Sequence, residues 1–307
     1  EIRLSLVGSE MCIRDRRKNL ISIFTPFLRN KKVIFIDVPV HCNVGDSLIY
    51  LGTLALLKEL NATVIDSISA YELARIDKLS VDDDIVFVCQ GGGNFGDIYS
   101  MHQNVRHLLI EKFPKNSIVL MPQSIHYDNY DIFVDDCERY KKNNNFSIFV
   151  RDEFSFSELT EQGVKNVSLC PDIATVLFES FAFSNPMNGN KLSFMRKDVE
   201  AISNSEVKLS VDWIDIVPKH LILLLIVSKY LIMKNNRINI KGLTSFLVKN
   251  IHSRLADSAF IYFSQFSSIK TDRLHGVIFS QILQMRCEAL DNRYGKIERY
   301  AKCWYKE

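Results

Sequence analysis

From residue 31 onward, short runs rich in β-branched and aromatic residues alternate with stretches whose apolar residues recur at helical spacing. This is the pattern of βα units laid into a parallel sheet. The runs are KVIFIDV (32–38), ATVID (62–66), DIVFVC (84–89), SIVLM (117–121), FSIFV (146–150) and NVSLC (166–170). Most are followed at once by polar or glycine residues: HCNVGD, QGGGNFGD, PQSIH, RDE and PDIA. In an open α/β sheet the carboxyl ends of the strands line the binding crevice, so these clusters are expected to crowd one edge.

ESFAFSNPMNGN (179–190) has the composition of a linker, and after it a second alternation begins. Its strand-like runs are KLSFM (191–195), VKLSVDWI (207–214), RINI (237–240), FIYFS (260–264), SSIK (267–270) and CEALD (287–291). The expected division is an N-terminal Rossmann-like domain over 17–178, a linker over 179–190 and a C-terminal Rossmann-like domain over 191–307 whose last helix packs back on the first. Residues 1–16, EIRLSLVGSEMCIRDR, lack the apolar core of a secretory signal and resemble read-through of a sequencing adapter. They are expected to stand outside the fold. The run LILLLIVSKYLIM (221–233) holds a lysine and is shorter than the roughly 20 residues a membrane span needs, so it is expected to be a buried helix, with peripheral membrane contact as the alternative.

A chain of 307 residues with 47% hydrophobic residues, 24% charged residues and a net charge of +2 reads as a soluble globular protein without a polybasic footprint. Nucleic acid is thereby disfavoured as a partner. The seven cysteines show no C-x-x-C pair and no Cys/His spacing of a zinc site, so neither a metal nor a disulfide framework is indicated. A cytoplasmic protein with reduced thiols is the expectation.

QGGGNFGD (90–97) places Gly91, Gly93 and Gly96 in G-x-G-x-x-G spacing. A dinucleotide loop belongs on the first βα turn, whereas this run follows the third strand. A tight turn requiring glycine, or amides offered to an anionic or sugar ligand beside Asn94 and Asp97, are the other readings. NVGDSLIYLGTLALLKEL (43–60) is a loop entering an amphipathic helix, in which Asp46 or Ser47 can cap the first turn, or Asn43 and Asp46 can line the crevice. His41 and His126 each follow a strand and read as loop histidines or as crevice groups. Arg196 closes the strand-like LSFM, either as a surface ion-pair partner or aimed between the domains. In TDRLHG (271–276), Thr271 or Asp272 can cap the helix continued by VIFSQIL, leaving Arg273 and His275 near its free amides, where an anion is favoured. Residues two apart do not share a helix face, so a common ligand requires the backbone to stay irregular up to about His275. DNRYGK (291–296) brings Asn292, Tyr294 and Lys296 to the same rim.

Taken in order, NVGD, GGGNFGD, PQSI, RD, CPDIA, FMRKD, VDW, TDRLHG and DNRYGK resemble the polysaccharide pyruvyl transferase family over roughly residues 31–304. The resemblance implies an α/β, GT-B-like fold of two Rossmann-type domains with parallel sheets facing a central cleft. It implies an enzyme that moves the enolpyruvyl unit of phosphoenolpyruvate onto two hydroxyls of a sugar as a cyclic ketal, in exopolysaccharide or cell-surface glycan biosynthesis. Arg273 and His275 are then the catalytic pair, and Arg196, Arg273, Leu274, His275, Asn292 and Lys296 the donor-binding set. Asn43, Gly45, Asp46, Gly91, Gly92, Gly93, Asn94, Asp97 and Gln123 are expected to hold the acceptor, which is free, lipid-linked or nucleotide-linked. No metal and no resident cofactor are expected, phosphoenolpyruvate being a co-substrate, and the protein is placed in the cytoplasm or at the inner face of its membrane. LQMRCEALDN departs from the glycine, small apolar residue and proline usual after RLHG. A nucleotide-sugar glycosyltransferase in the same cleft is the competing reading, and a sugar-binding protein without catalysis the third.

Overall fold

The computed structural model describes residues 2–4, 9–181, 189–197, 210–291 and 295–305. A short strand β1 (Ile2–Leu4) and a long helix α1 (Ser9–Leu28) precede the first sheet. That sheet holds β2 (Lys32–Ile36), β3 (Thr63–Ile68), β4 (Val86–Cys89), β5 (Gly92–Phe95), β6 (Ile118–Ile125), β7 (Phe146–Val150) and β8 (Val167–Leu169). All are parallel, in the order β3-β2-β4-β6-β7-β8, with β5 paired to β6 beside that path. Helices α2 (Val44–Glu59), α3 (Leu73–Lys78), α4 (Ser100–Lys112), α5 (Tyr130–Lys142) and α6 (Glu153–Glu161) make the crossovers. The central strands are apolar without alternation because both faces are covered: every residue of β4 and β6 is buried.

The second half is smaller. It contains β9 (Lys191–Phe194), α7 (Trp213–Ile216), α8 (Lys219–Ile238), α9 (Leu243–Phe263), β10 (Ser268–Thr271), α10 (Leu274–Ile282), β11 (Arg286–Ala289) and α11 (Lys296–Trp304). Its sheet runs β1-β11-β10-β9, parallel except for the antiparallel edge strand β1. The α/β class with parallel sheets is as expected, but several strands are not. RINI is the end of α8 and its left-handed cap Asn239, and FIYFS is the last turn of α9 with Ser264 as its cap. Ala256, Ala259 and Phe263 are buried while Ile261 is exposed, which is helical spacing, so the packed face overrode the β-rich composition. Of VKLSVDWI, 207–209 lie outside the described residues, Val211 makes one bridge to Phe194, and Trp213 opens α7. PQSI, expected beyond the strand, is its continuation.

The expectation that 1–16 stand outside the fold also does not hold. β1 pairs with β11, Ile13 is buried, and Arg16 donates to the Trp304 carbonyl and to Gln281 Oε1.

Helix α2 belongs to both halves. Val44 and Leu48 pack with Phe194, Trp213 and Val277 of the second half, whereas Ile49, Leu56 and Leu57 pack with Phe35 and Val88 under the first sheet. A second tie holds the α8–α9 hairpin to the first half. Fully buried Arg75 donates to Glu72 Oε1, Asp66 Oδ2 and Asn239 Oδ1, Thr244 Oγ1 donates to Glu72 Oε2, and the Gly242 amide donates to Asp66 Oδ1.

Candidate active site

After β3 the chain crosses to the other side of β2 to form β4. The crevice beyond the carboxyl ends of strands at such a reversal is where open α/β sheets hold ligands. A cavity of about 330 Å³ opens there, walled on its far side by the second half.

From the second half come Arg196 after β9, Arg273, Leu274 and His275 after β10, and Lys296 at the start of α11. The geometric requirement on TDRLHG is met because α10 begins only at Leu274. Arg273 is its N-cap in extended conformation (φ −100°, ψ 123°), so it and His275 both reach the cavity. Neither Thr271 nor Asp272 caps α10: Thr271 Oγ1 accepts from the Arg273 amide, and Asp272 Oδ1 accepts from the Arg196 amide. Asp272 therefore ties the two arginine-bearing strand ends together. Asp212 grips Arg273 through Nε and Nη2 at once, which fixes the plane of the guanidinium. Asn292 and Tyr294 lie outside the described residues.

From the first half, Asn43, Asp46, Gly91, Gly93 and Asn94 line the cavity. Asn43 is the N-cap of α2, accepting from the Gly45 amide while its Nδ2 donates to Asp46. Gly45 stands behind the wall: a Cβ there would sit 2.6 Å from His275 Nδ1, so glycine is what lets the histidine of one half rest on the α2 terminus of the other. Gly92 and Gln123 are also supports. A Cβ on Gly92 would meet Ile49 and Asp46, and buried Gln123 donates to the Gln90 carbonyl and to Asn94 Oδ1. Asp97 is not brought to the cavity; it accepts the amides of Asp128 and Asn129, which corrects its acceptor-binding role. Gly96, at φ +141° and with a Cβ position 1.7 Å from the His126 carbonyl oxygen, serves the tight turn rather than a ligand. His126 pairs with Asp128, away from the cavity, while His41 lines it.

Groups outside the expected set complete the wall: Asp37, Gln90, Tyr99, His102, Arg151 and Trp213. His102 Nδ1 lies 2.8 and 2.7 Å from the two carboxylate oxygens of Asp37, whose backbone sits in the left-handed region at φ 65°. A non-glycine residue held there is the kind of strain that functional sites retain. Burial alone would lower the His102 pKa, but the Asp37 charge and hydrogen bond outweigh it and the pKa is raised. Across the cavity Asp172 is buried, 2.5 Å from Arg151 Nη1 and 3.4 Å from His275 Nε2. Burial would raise its carboxyl, yet His275 and Arg151 more than offset this and hold it well below the usual carboxylate range.

His252 is buried behind the wall. Its Nε2 lies 2.8 Å from the Pro39 carbonyl, which can only accept, so Nδ1 accepts from Ser47 Oγ at 2.9 Å. Burial lowers its pKa to about 4, which makes it a neutral structural link. Helix α11 closes the site from the side, with the Tyr300 hydroxyl accepting from the Asp172 amide and Trp304 Nε1 donating to the Arg151 carbonyl. Among the described residues no cluster of three or more His, Cys, Asp or Glu is disposed to hold a metal ion.

Arg151, Arg196, Arg273 and Lys296 line the cavity with Asp37 and Asp46, while Asp172 and Asp212 pair with Arg151 and Arg273. Such an arrangement takes a small, multiply charged anion.

EpsO of Bacillus subtilis strain 168, named for pyruvyl transfer, is 30% identical over 300 residues, which cover 96% of this chain and 91% of that one. Pyruvyl transferase 1 of Schizosaccharomyces pombe is 35% identical over 151 residues, 47% of this chain and 38% of that one. The crystal structure of an uncharacterised protein from Klebsiella pneumoniae has the same fold, with a TM-score of 0.62, 16% identity and 93% of both chains covered. Residues 43–287 match the family profile described as polysaccharide pyruvyl transferase. The chain thus belongs to the polysaccharide pyruvyl transferase family.

Proposed function

We propose that this protein transfers the enolpyruvyl unit of phosphoenolpyruvate onto two hydroxyls of one sugar as a cyclic ketal, in exopolysaccharide or cell-surface glycan biosynthesis in the cytoplasm. The observation that carries the reading is the meeting of Arg151, Arg196, Arg273 and Lys296 with His275 around one small cavity. Phosphoenolpyruvate presents a carboxylate and a phosphate within three carbons and so calls for several fixed cationic donors.

In this reading the methylene carbon takes a proton, C2 becomes cation-like, and one sugar hydroxyl adds to it. The bond from C2 to the phosphate oxygen then breaks, inorganic phosphate leaves, and the second hydroxyl closes the ketal. Of the two hydroxyl protons released, one balances that added to carbon and the other leaves with phosphate or solvent. His275, placed between Asp172 and the donor pocket, supplies the proton to carbon. The His102–Asp37 pair lies on the acceptor side and receives a hydroxyl proton. Asn43, Asp46 and Asn94 orient the sugar. Phosphorus is not attacked, and no resident cofactor takes part.

Arg273→Ala is expected to slow phosphate release with donor and acceptor present by roughly 100- to 1000-fold, as the loss of an oxyanion-type donor does. Unchanged release would end the assignment. Thermal unfolding should be delayed by phosphoenolpyruvate and not by UDP or GDP, since a ligand stabilises only the state that binds it. The opposite result would favour a nucleotide-sugar glycosyltransferase. Oligosaccharide binding without phosphate release would favour a sugar-binding protein.

A further inference from the structure

Helix α8 is apolar on two faces. Leu221, Leu225 and Ile232 face the protein, whereas Leu223, Ile226, Val227, Tyr230 and Met233 form a stripe on the opposite side. Leu223 is 61% exposed, Ile226 61% and Tyr230 57%. The turn into α9 adds Ile238, Ile240 and Phe246, the last 80% exposed. A helix apolar all round belongs in a core or against lipid, and contiguous exposed apolar residues of this extent mark an interaction surface.

The charges around the stripe say what covers it. Lys219, Lys229, Lys234, Arg237, Lys241, Lys249 and Arg254 fall within 219–254, a segment without any Asp or Glu, although the whole chain carries 38 Lys and Arg against 36 Asp and Glu. Lys219, Lys234 and Arg237 fall on the striped side of α8 at helical spacing, and Lys234 Nζ lies 4.6 Å from the Tyr230 ring centroid. An apolar stripe rimmed by cations, with an aromatic residue between them, is the design of a helix that lies in the headgroup layer of an anionic bilayer. Two copies meeting through this face would oppose their like charges with no acid of the segment to answer them, which disfavours self-association. No helix of the described residues is long and apolar enough to cross a membrane.

We propose that the α8–α9 hairpin docks this protein on an anionic lipid surface, with the outer stripe of α8 buried among acyl chains and the lysines and arginines on the headgroups. The hairpin lies behind the wall of the active-site cavity and contributes no lining residue to it. Trp213, in its wall, precedes α8 by six residues, and His252 of α9 holds Pro39, another wall residue. Docking therefore keeps the cavity near the membrane surface, where a lipid-linked acceptor sugar resides; this last consequence rests on the proposed function, whereas the docking itself does not.

The test is co-sedimentation of the full chain with vesicles of phosphatidylcholine alone and of phosphatidylcholine with phosphatidylglycerol. Binding is expected to the anionic vesicles, to be weak on the neutral ones, and to fall by on the order of tenfold as salt rises from about 0.1 M to 0.5 M. The double variant Leu223→Glu, Ile226→Glu should lose vesicle binding while circular dichroism and thermal unfolding stay as in the parent, because both side chains are exposed. Phosphate release with a soluble acceptor should be the same in parent and variant, so failure of docking and failure of the pyruvyl transfer reading are told apart. The proposal is overturned by absence of binding, by equal binding to both vesicle types, by retention in the double variant, or by a dimer in sedimentation velocity that the double variant dissolves.

Discussion

Two arginine-centred clusters join the halves of this molecule, and they use charge differently. Around Arg75 one cation meets two carboxylates with side-chain exposures of 0% for Arg75, 3% for Asp66 and 0% for Glu72, and partners from α8, α9 and their turn take up the remaining lone pairs. Around Arg273 the cations also meet carboxylates, Asp212 on Arg273 and Asp172 on Arg151, but four Lys and Arg side chains border an open cavity. The first cluster answers its charges within the protein and acts as a staple. The second sets its cationic donors along a space of ligand size. Burial alone would not separate them, since Arg273 is 8% exposed as a residue; what separates them is whether the cations border an open space.

The contrast can be broken at several points. The largest effect is expected at the staple. Arg75→Ala strands two buried carboxylates and should cost about 3–5 kcal/mol of stability in urea unfolding, whereas Arg196→Ala at the cavity should cost less and act chiefly on phosphate release. Similar unfolding curves for the two variants would erase the distinction. A smaller effect is expected at the seam. Gly45→Ala places a methyl 2.6 Å from His275 Nδ1, and displacing the ring should lower kcat by roughly 10- to 100-fold, in line with about 1–3 kcal/mol for overpacking. A normal kcat would show that the ring position is not demanding.

The smallest effect concerns pH. The pKa of His102 is raised above its ordinary 6.5 by Asp37, so the pair stabilises the fold fully below about pH 6.5 and loses that contribution as pH rises through the raised value. Asp37→Asn should remove this slope from the stability-against-pH profile, and a slope that persists would place its origin elsewhere.

The parallel sheet was legible because each buried strand is a short apolar run ended by polar residues, and the cavity because those polar ends converge at the strand reversal. Arg196, Arg273, His275 and Lys296 were legible for the same reason, each standing at or just past the end of a strand or the start of a helix. His102 was not: it lies in the first turn of α4, 65 positions from its partner Asp37, and nothing local joins that histidine to a distant strand end. Asp37 read as part of its strand, whereas its left-handed backbone ends β2 at Ile36. Arg151 and Asp172 were visible within RDE and PDIA, but only the fold pairs them behind His275. The misreading of FIYFS came from composition, since a helix whose outer side is also apolar hides its period.

Helix α2 carries one further implication. Its first turn seats His275 of the other half, and Val44 and Leu48 sit in that half's core. The molecule is consequently not modular at the 179–190 connection: a chimera that exchanged the C-terminal portion for that of a relative would need to import the opening turn of α2 with it, or the graft would inherit a histidine without its seat.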